Sequence, residues 1–361
     1  MKKILFVNFS LNIGGIENFM INVLNNIDCQ KYNITFLCLK NGTYDYEEQI
    51  KSNGSKIIKL NENLNNHLKV IKAIEKILIE ESIDIVHDNT YFYSLHSLIA
   101  AKNVGIKIRI SHSHTSQAYY EKGLFKKLKH SVVRMLLKQN ATHLIACGKE
   151  AGDSIFGKNN YQIINNGVDI KKYKKDLKVK EQLKNKYNIP KNCFVIGHVG
   201  RLEDVKNHQF LINIFEEYYK DNKNAYLVMI GNGSLKEKLM AQIKEISLNN
   251  VIFITHLKTV NEYYNLFDMF VMPSKFEGFP LVLVEAQINE LKCLVSNKVS
   301  ESVKLSDLVE FENINLHKEQ WTKHINEFRN KKIDNKYSFE NSVYDINTTI
   351  KELEKIYKEV V

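Results

Sequence analysis

The sequence predicts an α/β protein built from two doubly wound parallel-sheet domains, and three observations carry that prediction. The chain has 361 residues, too many for one ordinary core at roughly 100–200 residues per domain. Short apolar runs alternate with longer stretches of helical period, the βαβα rhythm of parallel sheets covered on both faces. That rhythm breaks once, in a polar, Lys-rich stretch up to Pro190, and then begins again.

Taken in order, the expected strands of the first domain are Ile4–Asn8, Ile34–Leu39, Lys56–Leu60, Ile83–Asp88, Lys107–Ser111 and His143–Cys147. The opening run from Met1 imitates a signal peptide for a few residues, but polar Asn8 and Asn12 end it and no small-residue cleavage site follows. A first buried strand is the expectation. Helices are expected over Glu17–Asn26 and Leu68–Glu80, the latter with Ile71, Ile74, Ile77 and Leu78 on one face. The second cycle opens with Phe194–Val199 and continues through Ala225–Ile230, Val251–Thr255, Met269–Met272 and Cys293–Ser296. The domains are placed at 1–172 and 173–342, followed by a C-terminal helix in 343–361 that the pattern allows to pack back on the first domain. Open α/β sheets bind ligands at their strand C-termini, so a cleft there is expected.

Composition narrows the function classes. Hydrophobic residues at 44% and charged residues at 25% are the balance of a soluble globular protein. The five cysteines, Cys29, Cys38, Cys147, Cys193 and Cys293, are scattered without a CxxC pair, which argues for a reducing, cytoplasmic setting and against a zinc site. No run approaches the ~20 apolar residues that cross a bilayer. The net charge of +10 lies wholly in residues 1–175, with 25 Lys and Arg against 15 Asp and Glu, while residues 176–361 balance at 26 and 26. Basic and bulky apolar residues interleave over 119–138, a candidate contact with an anionic membrane surface on the inner face of the cell membrane, or a solvated helix face. No aromatic-basic motif accompanies the charge, so nucleic acid is not an expected partner.

Two elements of the second domain carry chemistry. In Ser274-Lys-Phe-Glu-Gly-Phe-Pro-Leu-Val-Leu-Val-Glu-Ala286, Gly278 permits a tight turn and Pro280 suits the first position of a helix. The free N–H groups of that helix start favour an anion such as diphosphate. Glu277 and Glu285, eight positions apart, can accept paired hydrogen bonds from vicinal hydroxyls; as surface acids they would be ordinary. In Gly197-His-Val-Gly-Arg201-Leu-Glu-Asp-Val-Lys206-Asn-His-Gln-Phe-Leu211, Arg201 and Lys206 occupy the loop after a strand. They match phosphate oxygens with a fork and a mobile point charge. Loop cations are usually just solvated, but two such elements in one domain make a stronger case.

The ordered set resembles the family 4 glycosyltransferases, retaining enzymes of the GT-B architecture, over nearly the whole chain. It comprises Gly14-Gly15, Asn166-Gly-Val-Asp169, Gly200-Arg201 with Lys206-Asn207, and Glu277 paired with Glu285 across Gly-Phe-Pro. The resemblance implies two facing Rossmann-like domains. It implies Arg201 and Lys206 on the donor diphosphate, and Glu277 at the donor sugar beside the backbone of Gly278, Phe279, Pro280 and Leu281. Glu285 would hold the ribose, and Gly14 and Gly15 would bring a helix start to the phosphates. Gly200, Asn207, Gly231 and His256 are implied around the rest of the donor. Ile110-Ser-His-Ser-His-Thr115 matches a region whose histidine faces the reacting sugar, here His114 with His112 second. Either histidine could instead be a satisfied structural one. The chain departs from the family after Asn297, where Lys298-Val-Ser-Glu-Ser-Val-Lys-Leu305 replaces a Gly-rich turn.

The implied reaction is transfer of a sugar from a nucleoside-diphosphate sugar, UDP-linked, to a hydroxyl of a glycan or polyprenyl-diphosphate-linked acceptor in surface-polysaccharide or capsule synthesis. No cofactor and no metal are expected, because paired cations replace the ion and no Asp-x-Asp motif occurs. The rivals are a sugar-nucleotide epimerase or phosphorylase of the same architecture, and an idle nucleotide-binding partner of another transferase.

Overall fold

The computed structural model describes residues 1–114, 124–158, 160–255, 257, 259–334 and 337–359, with the backbone alone for Phe92 and 124–129. The chain divides into two compact units, one of Met1–Val168 with Asn341–Val361 and one of Asp169–Glu340. The boundary falls after Val168, four residues before the expected one. There Val168 pairs with Asp345, its N–H donating to the Tyr344 carbonyl at 2.8 Å.

The first unit is a seven-stranded sheet in the order β3-β2-β1-β4-β5-β6-β7. Its strands are β1 (Lys2–Asn8), β2 (Tyr32–Cys38), β3 (Lys56–Lys59), β4 (Ile85–Asp88), β5 (Ile108–Ser113), β6 (His143–Ala146) and β7 (Gln162–Ile163). Every pairing is parallel, with Phe6 opposite Phe36 and His87 opposite Phe6 and Ile110. Successive side chains of a strand face opposite ways. Accordingly Ile4 and Phe6 join one core with α1 (Gly15–Asn26) and Ile50 of α2 (Glu47–Ser52), and Leu5 and Val7 join another with α3 (His67–Glu80). Burial on both faces explains why β1 reads as a continuous apolar run. The helices α4 (Ser94–Asn103), α5 (Leu124–Asn140) and α6 (Lys149–Phe156) complete the cover.

The second unit is a six-stranded parallel sheet in the order β10-β9-β8-β11-β12-β13. Its strands are β8 (Phe194–Val199), β9 (Ala225–Ile230), β10 (Val251–Ile254), β11 (Met269–Met272), β12 (Lys292–Ser296) and β13 (Val309–Glu312). Its helices are α7 (Ile170–Tyr173), α8 (Leu177–Lys186), α9 (His208–Asp221), α10 (Lys236–Glu245), α11 (Leu281–Ile288) and α12 (Lys318–Asn330). The last helix, α13 (Ile346–Lys358), returns to the first unit, where Ile346, Ile350, Leu353, Ile356 and Tyr357 enter the core beside β1.

Two strands lie outside the sequence expectation. β7 has two exposed residues inside a stretch read as a junction, and β13 alternates Val-Glu-Phe-Glu with only Val309 fully buried. Both are edge strands, where period and apolarity are weakest. β5 runs two residues further than expected, to Ser113, and so carries His112 within the sheet.

Candidate active site

In the second unit the strand order reverses between β8 and β11, and open sheets bind ligands at such a point. The loop after β8 carries Gly200 and exposed Arg201, then a short 3-10 turn ending at Lys206. Asn207 follows at φ 58°, a left-handed conformation that asparagine tolerates. Its amide donates to the Pro273 carbonyl at 3.0 Å, clasping this loop to the one that follows β11. Lys275 adds a second clasp, through its N–H to the Val205 carbonyl and its ammonium to Asp204.

This clasp brings the two sequence elements together. Lys206 Nζ lies 2.6 Å from Glu277 Oε1, with the side chains only 13% and 17% exposed. Gly200 leaves room for the lysine, since a Cβ there would lie 3.3 Å from Lys206 Cε. Gly231 is required outright: its φ is +151° and a Cβ would stand 2.0 Å from the Gly200 carbonyl oxygen. Glu277 is fixed from its far side by a parallel bridge to Val299, and its carbonyl accepts from the Ser300 N–H at 3.1 Å. The stretch that departs from the family's Gly-rich turn therefore builds the backbone support for Glu277, which spacing alone did not reveal.

Several expected roles need correction. Asn207 spends its side-chain amide on Pro273, so it positions the lysine loop and does not offer that amide to a ligand. Pro280 is the N-cap, one residue before the helix, which starts at Leu281; its ψ of 111° is extended. Phe279 packs against the unit's core beside Gly278. Glu285 is no surface acid: it is 5% exposed, and its carboxylate accepts from the Tyr264 hydroxyl at 2.5 Å. Burial raises its pKa, while hydrogen bonds from Tyr264 and Tyr173 oppose the rise. His256 lies outside the described residues.

Behind the lysine loop stands a buried polar group that the sequence did not flag. His198 on β8 donates from Nδ1 to the Val271 carbonyl at 2.8 Å, and the His208 ring meets it edge-on at 4.6 Å. His198 Nε2, both His208 nitrogens and Ser274 Oγ are buried without partners among the described residues. Burial, helped at His198 by His208 and at both rings by Lys206, pushes the pKa of each imidazole down. The available signal was His198 breaking an otherwise apolar strand.

In the first unit the reversal falls between β1 and β4. Gly14 caps α1, but Glu17 folds over it, and a Cβ on Gly14 would lie 2.5 Å from Glu17 Oε2. Asn8 Nδ2 donates to the other oxygen of that carboxylate at 2.8 Å. The helix start expected to meet phosphate is thus already faced by a carboxylate, a favourable arrangement for the helix dipole. Gly15 has open space around its Cα.

The two histidines separate clearly. His112 is fully buried: its Nδ1 lies 3.0 Å from His87 Nε2, and His87 Nδ1 lies 2.7 Å from the Tyr357 hydroxyl of α13. It is a core histidine and touches no open surface. His114, just past the strand end and half-buried, has its ring centroid 3.8 Å from that of His112 with the planes tilted by 37°, and stands between Asn89 and Asn166. Burial holds the pKa of His87 and of His114 down to about 3 and that of His112 well below its ordinary value. Among the described residues, no three His, Cys, Asp or Glu side chains gather as a metal site.

Comparison with known proteins bears on the family and the fold. The model of Glycosyltransferase Family 4 matches residues 13–172, and that of Glycosyl transferases group 1 matches residues 179–332. EpsF of Bacillus subtilis, whose name places it among the glycosyltransferases, is 30% identical over 84% of this chain and 81% of its own length. This chain belongs to the family 4 glycosyltransferases. CapH of Staphylococcus aureus, named as a capsular polysaccharide biosynthesis glycosyltransferase, is 24% identical over 99% of both chains. An Escherichia coli relative, UDP-Gal:alpha-D-GlcNAc-diphosphoundecaprenol alpha-1,3-galactosyltransferase, is 26% identical over 82% of this chain and 79% of its own. Among solved structures, Anabaena HepE in complex with UDP and glucose aligns over 100% of both chains with a TM-score of 0.79 at 17% identity. At that identity the likeness concerns the fold, and it gives this glycosyltransferase the pair of Rossmann-like GT-B domains.

Proposed function

We propose that this glycosyltransferase moves a sugar from a UDP-sugar, with retention of configuration, to a hydroxyl of a glycan or polyprenyl-diphosphate-linked acceptor in bacterial surface-polysaccharide synthesis. The observation that carries the reading is the Lys206–Glu277 contact at 2.6 Å, beside Arg201 and close to the start of α11 in sequence. It joins a cation for the departing diphosphate to a carboxylate for sugar hydroxyls in one place. The donor and acceptor named for the E. coli galactosyltransferase, the capsule named for CapH, and the UDP and glucose in the HepE complex support the choice of substrates.

In this scheme the diphosphate leaves under Arg201 and Lys206, and the acceptor attacks from the face it vacates. The leaving phosphate oxygen takes the acceptor's proton, so no separate base and no metal are required. Membrane contact through 119–138 belongs to the same reading. Residues 119–123 lie outside the described residues, and α5 exposes Val132 and Met135. Unchanged partitioning onto anionic liposomes after Lys126, Lys127 and Lys129 become Glu would remove that part.

Calorimetric titration with UDP, GDP and ADP, with and without chelator, tests the donor site. The expected result is micromolar, chelator-insensitive binding of UDP, weakened at least tenfold by Arg201→Ala and by Lys206→Ala. Absence of nucleotide binding to folded protein would overturn it.

A further inference from the structure

The half-buried His114 ring has both nitrogens engaged by carboxamides. Nε2 lies 2.9 Å from Asn89 Oδ1 and Nδ1 lies 3.1 Å from Asn166 Oδ1. A neutral imidazole has one donor and one acceptor nitrogen, so the two asparagines cannot play the same part. Asn89 has no choice. It is fully buried, and its NH2 faces the carbonyls of Val7 and His87 and the sulfur of Met20, which leaves its oxygen for the ring. His114 Nε2 therefore carries the proton. Among the described residues, no such contact fixes the orientation of the Asn166 amide. Carboxamide oxygen and nitrogen are interchangeable in shape, so Asn166 turns its NH2 to the bare Nδ1.

The backbone of Asn166 is pinned on both sides. Asn165 donates to the Cys147 carbonyl at 3.2 Å and accepts from Thr349 at 2.9 Å. Gly167 accepts from Asn22 at 3.2 Å, and a Cβ on it would meet Thr349 Oγ1 at 2.4 Å. Asn166 is thus a fixed arm whose only easy freedom is at its side chain. Among the described residues, the other rings packed on His114 are Phe19 of α1 and His112, backed by His87 and Tyr357.

We propose that Asn166 is a positioning residue that holds His114 with its proton on Nε2 and its lone pair on Nδ1, and that a substrate hydroxyl takes the place of the Asn166 amide by donating to Nδ1. The proposal rests on the sugar-transfer reading for its second half only; the first half concerns the free protein. It makes His114 a hydrogen-bond acceptor toward substrate. It also gives the asparagine of the Asn166-Gly-Val-Asp169 junction a defined task.

The test uses the full chain with 15N-labelled histidine, with His114→Gln to assign the ring. Two-bond proton–nitrogen spectra at pH 7 are expected to show His114 protonated at Nε2 alone. In Asn166→Asp a carboxylate faces Nδ1, and both nitrogens are expected to be protonated at the same pH, with the parent's urea transition followed by circular dichroism as the folding control. The rate of sugar transfer should then acquire an acid limb in Asn166→Asp, falling about tenfold per pH unit below the new pKa, while Asn166→Gln stays on the parent profile. A proton on Nδ1 in the parent, or an unchanged ring in Asn166→Asp, overturns the tautomer assignment. A protonated ring with an unaltered pH–rate profile overturns the substrate half.

Discussion

Replacing His208 by leucine separates burial from titration at one residue. His208 opens α9, is fully buried, and among the described residues has no partner for either nitrogen. Burial first, and the charge of Lys206 second, bring its pKa from 6.5 down to about 4. The ring is neutral in the folded protein and protonated in the unfolded chain below pH 6.5. The fold therefore loses stability as pH falls from 6.5 toward 4. Each unit of that gap is worth about 1.4 kcal/mol, so the loss between pH 7 and pH 5 is about 2 kcal/mol. Leucine does not titrate and leaves no unpaired N–H, whose burial costs on the order of 1–3 kcal/mol at any pH. The assay is urea unfolding followed by Trp321, the only tryptophan in the chain. It is buried in the same core as α9 and lies edge-on to Phe210 of that helix. The advantage of His208→Leu over the parent should grow by about 2 kcal/mol from pH 7 to pH 5. An equal advantage at both pH values would mean that the ring titrates freely in the fold, and the reasoning about its burial would fail.

Three further outcomes follow from the same contacts. Gly231→Ala puts a methyl 2.0 Å from the Gly200 carbonyl at a φ of +151°; the second unit should lose about 3 kcal/mol or more in the same Trp321 unfolding assay. A chain ending at Glu340 gives up Ile346, Ile350, Leu353, Ile356 and Tyr357 from the first unit's core. At about 2 kcal/mol for each buried side chain that approaches the whole stability of a domain, so limited proteolysis should degrade the first unit and leave a fragment with the parent's Trp321 transition. Glu277→Gln frees Lys206 from its counter-charge; UDP binding by calorimetry should tighten several-fold while sugar transfer falls at least a hundredfold, and weakened UDP binding would contradict the assigned roles.

The central strands were legible because both of their faces are buried, so β1, β8, β9 and β11 read as apolar runs with nearly correct ends. The edges were not. β7 and β13 have too few buried residues to leave a periodic signal. Lys206 and Glu277 were singled out as candidate site residues from their positions after strands, yet their mutual contact was invisible, because it depends on a clasp between residues 66 positions apart, Asn207 and Pro273. The sequence put His114 first and His112 second, with a structural role open for either. Alternation does put both on one face, but only the structure shows that His87 and Tyr357 claim the inner one. The task of Asn166 lay in a recognised motif whose side-chain partner was 52 residues away.

The Lys206–Glu277 pair also constrains what can bind. Both side chains are less than one-fifth exposed, so each depends on the other for neutralisation, and separating them without replacement strands a partly desolvated charge. A nucleoside diphosphate alone satisfies Lys206 and abandons Glu277. A free sugar can donate to Glu277 but offers Lys206 no anion. Only a ligand that carries a diphosphate and a polyhydroxylated group on the same molecule satisfies both at once, which is the chemistry of a sugar nucleotide. On the proposed donor reading, the ion pair itself would favour intact donor over its diphosphate product. In Glu277→Gln, where no carboxylate is left to abandon, the affinities of UDP and of the UDP-sugar should converge.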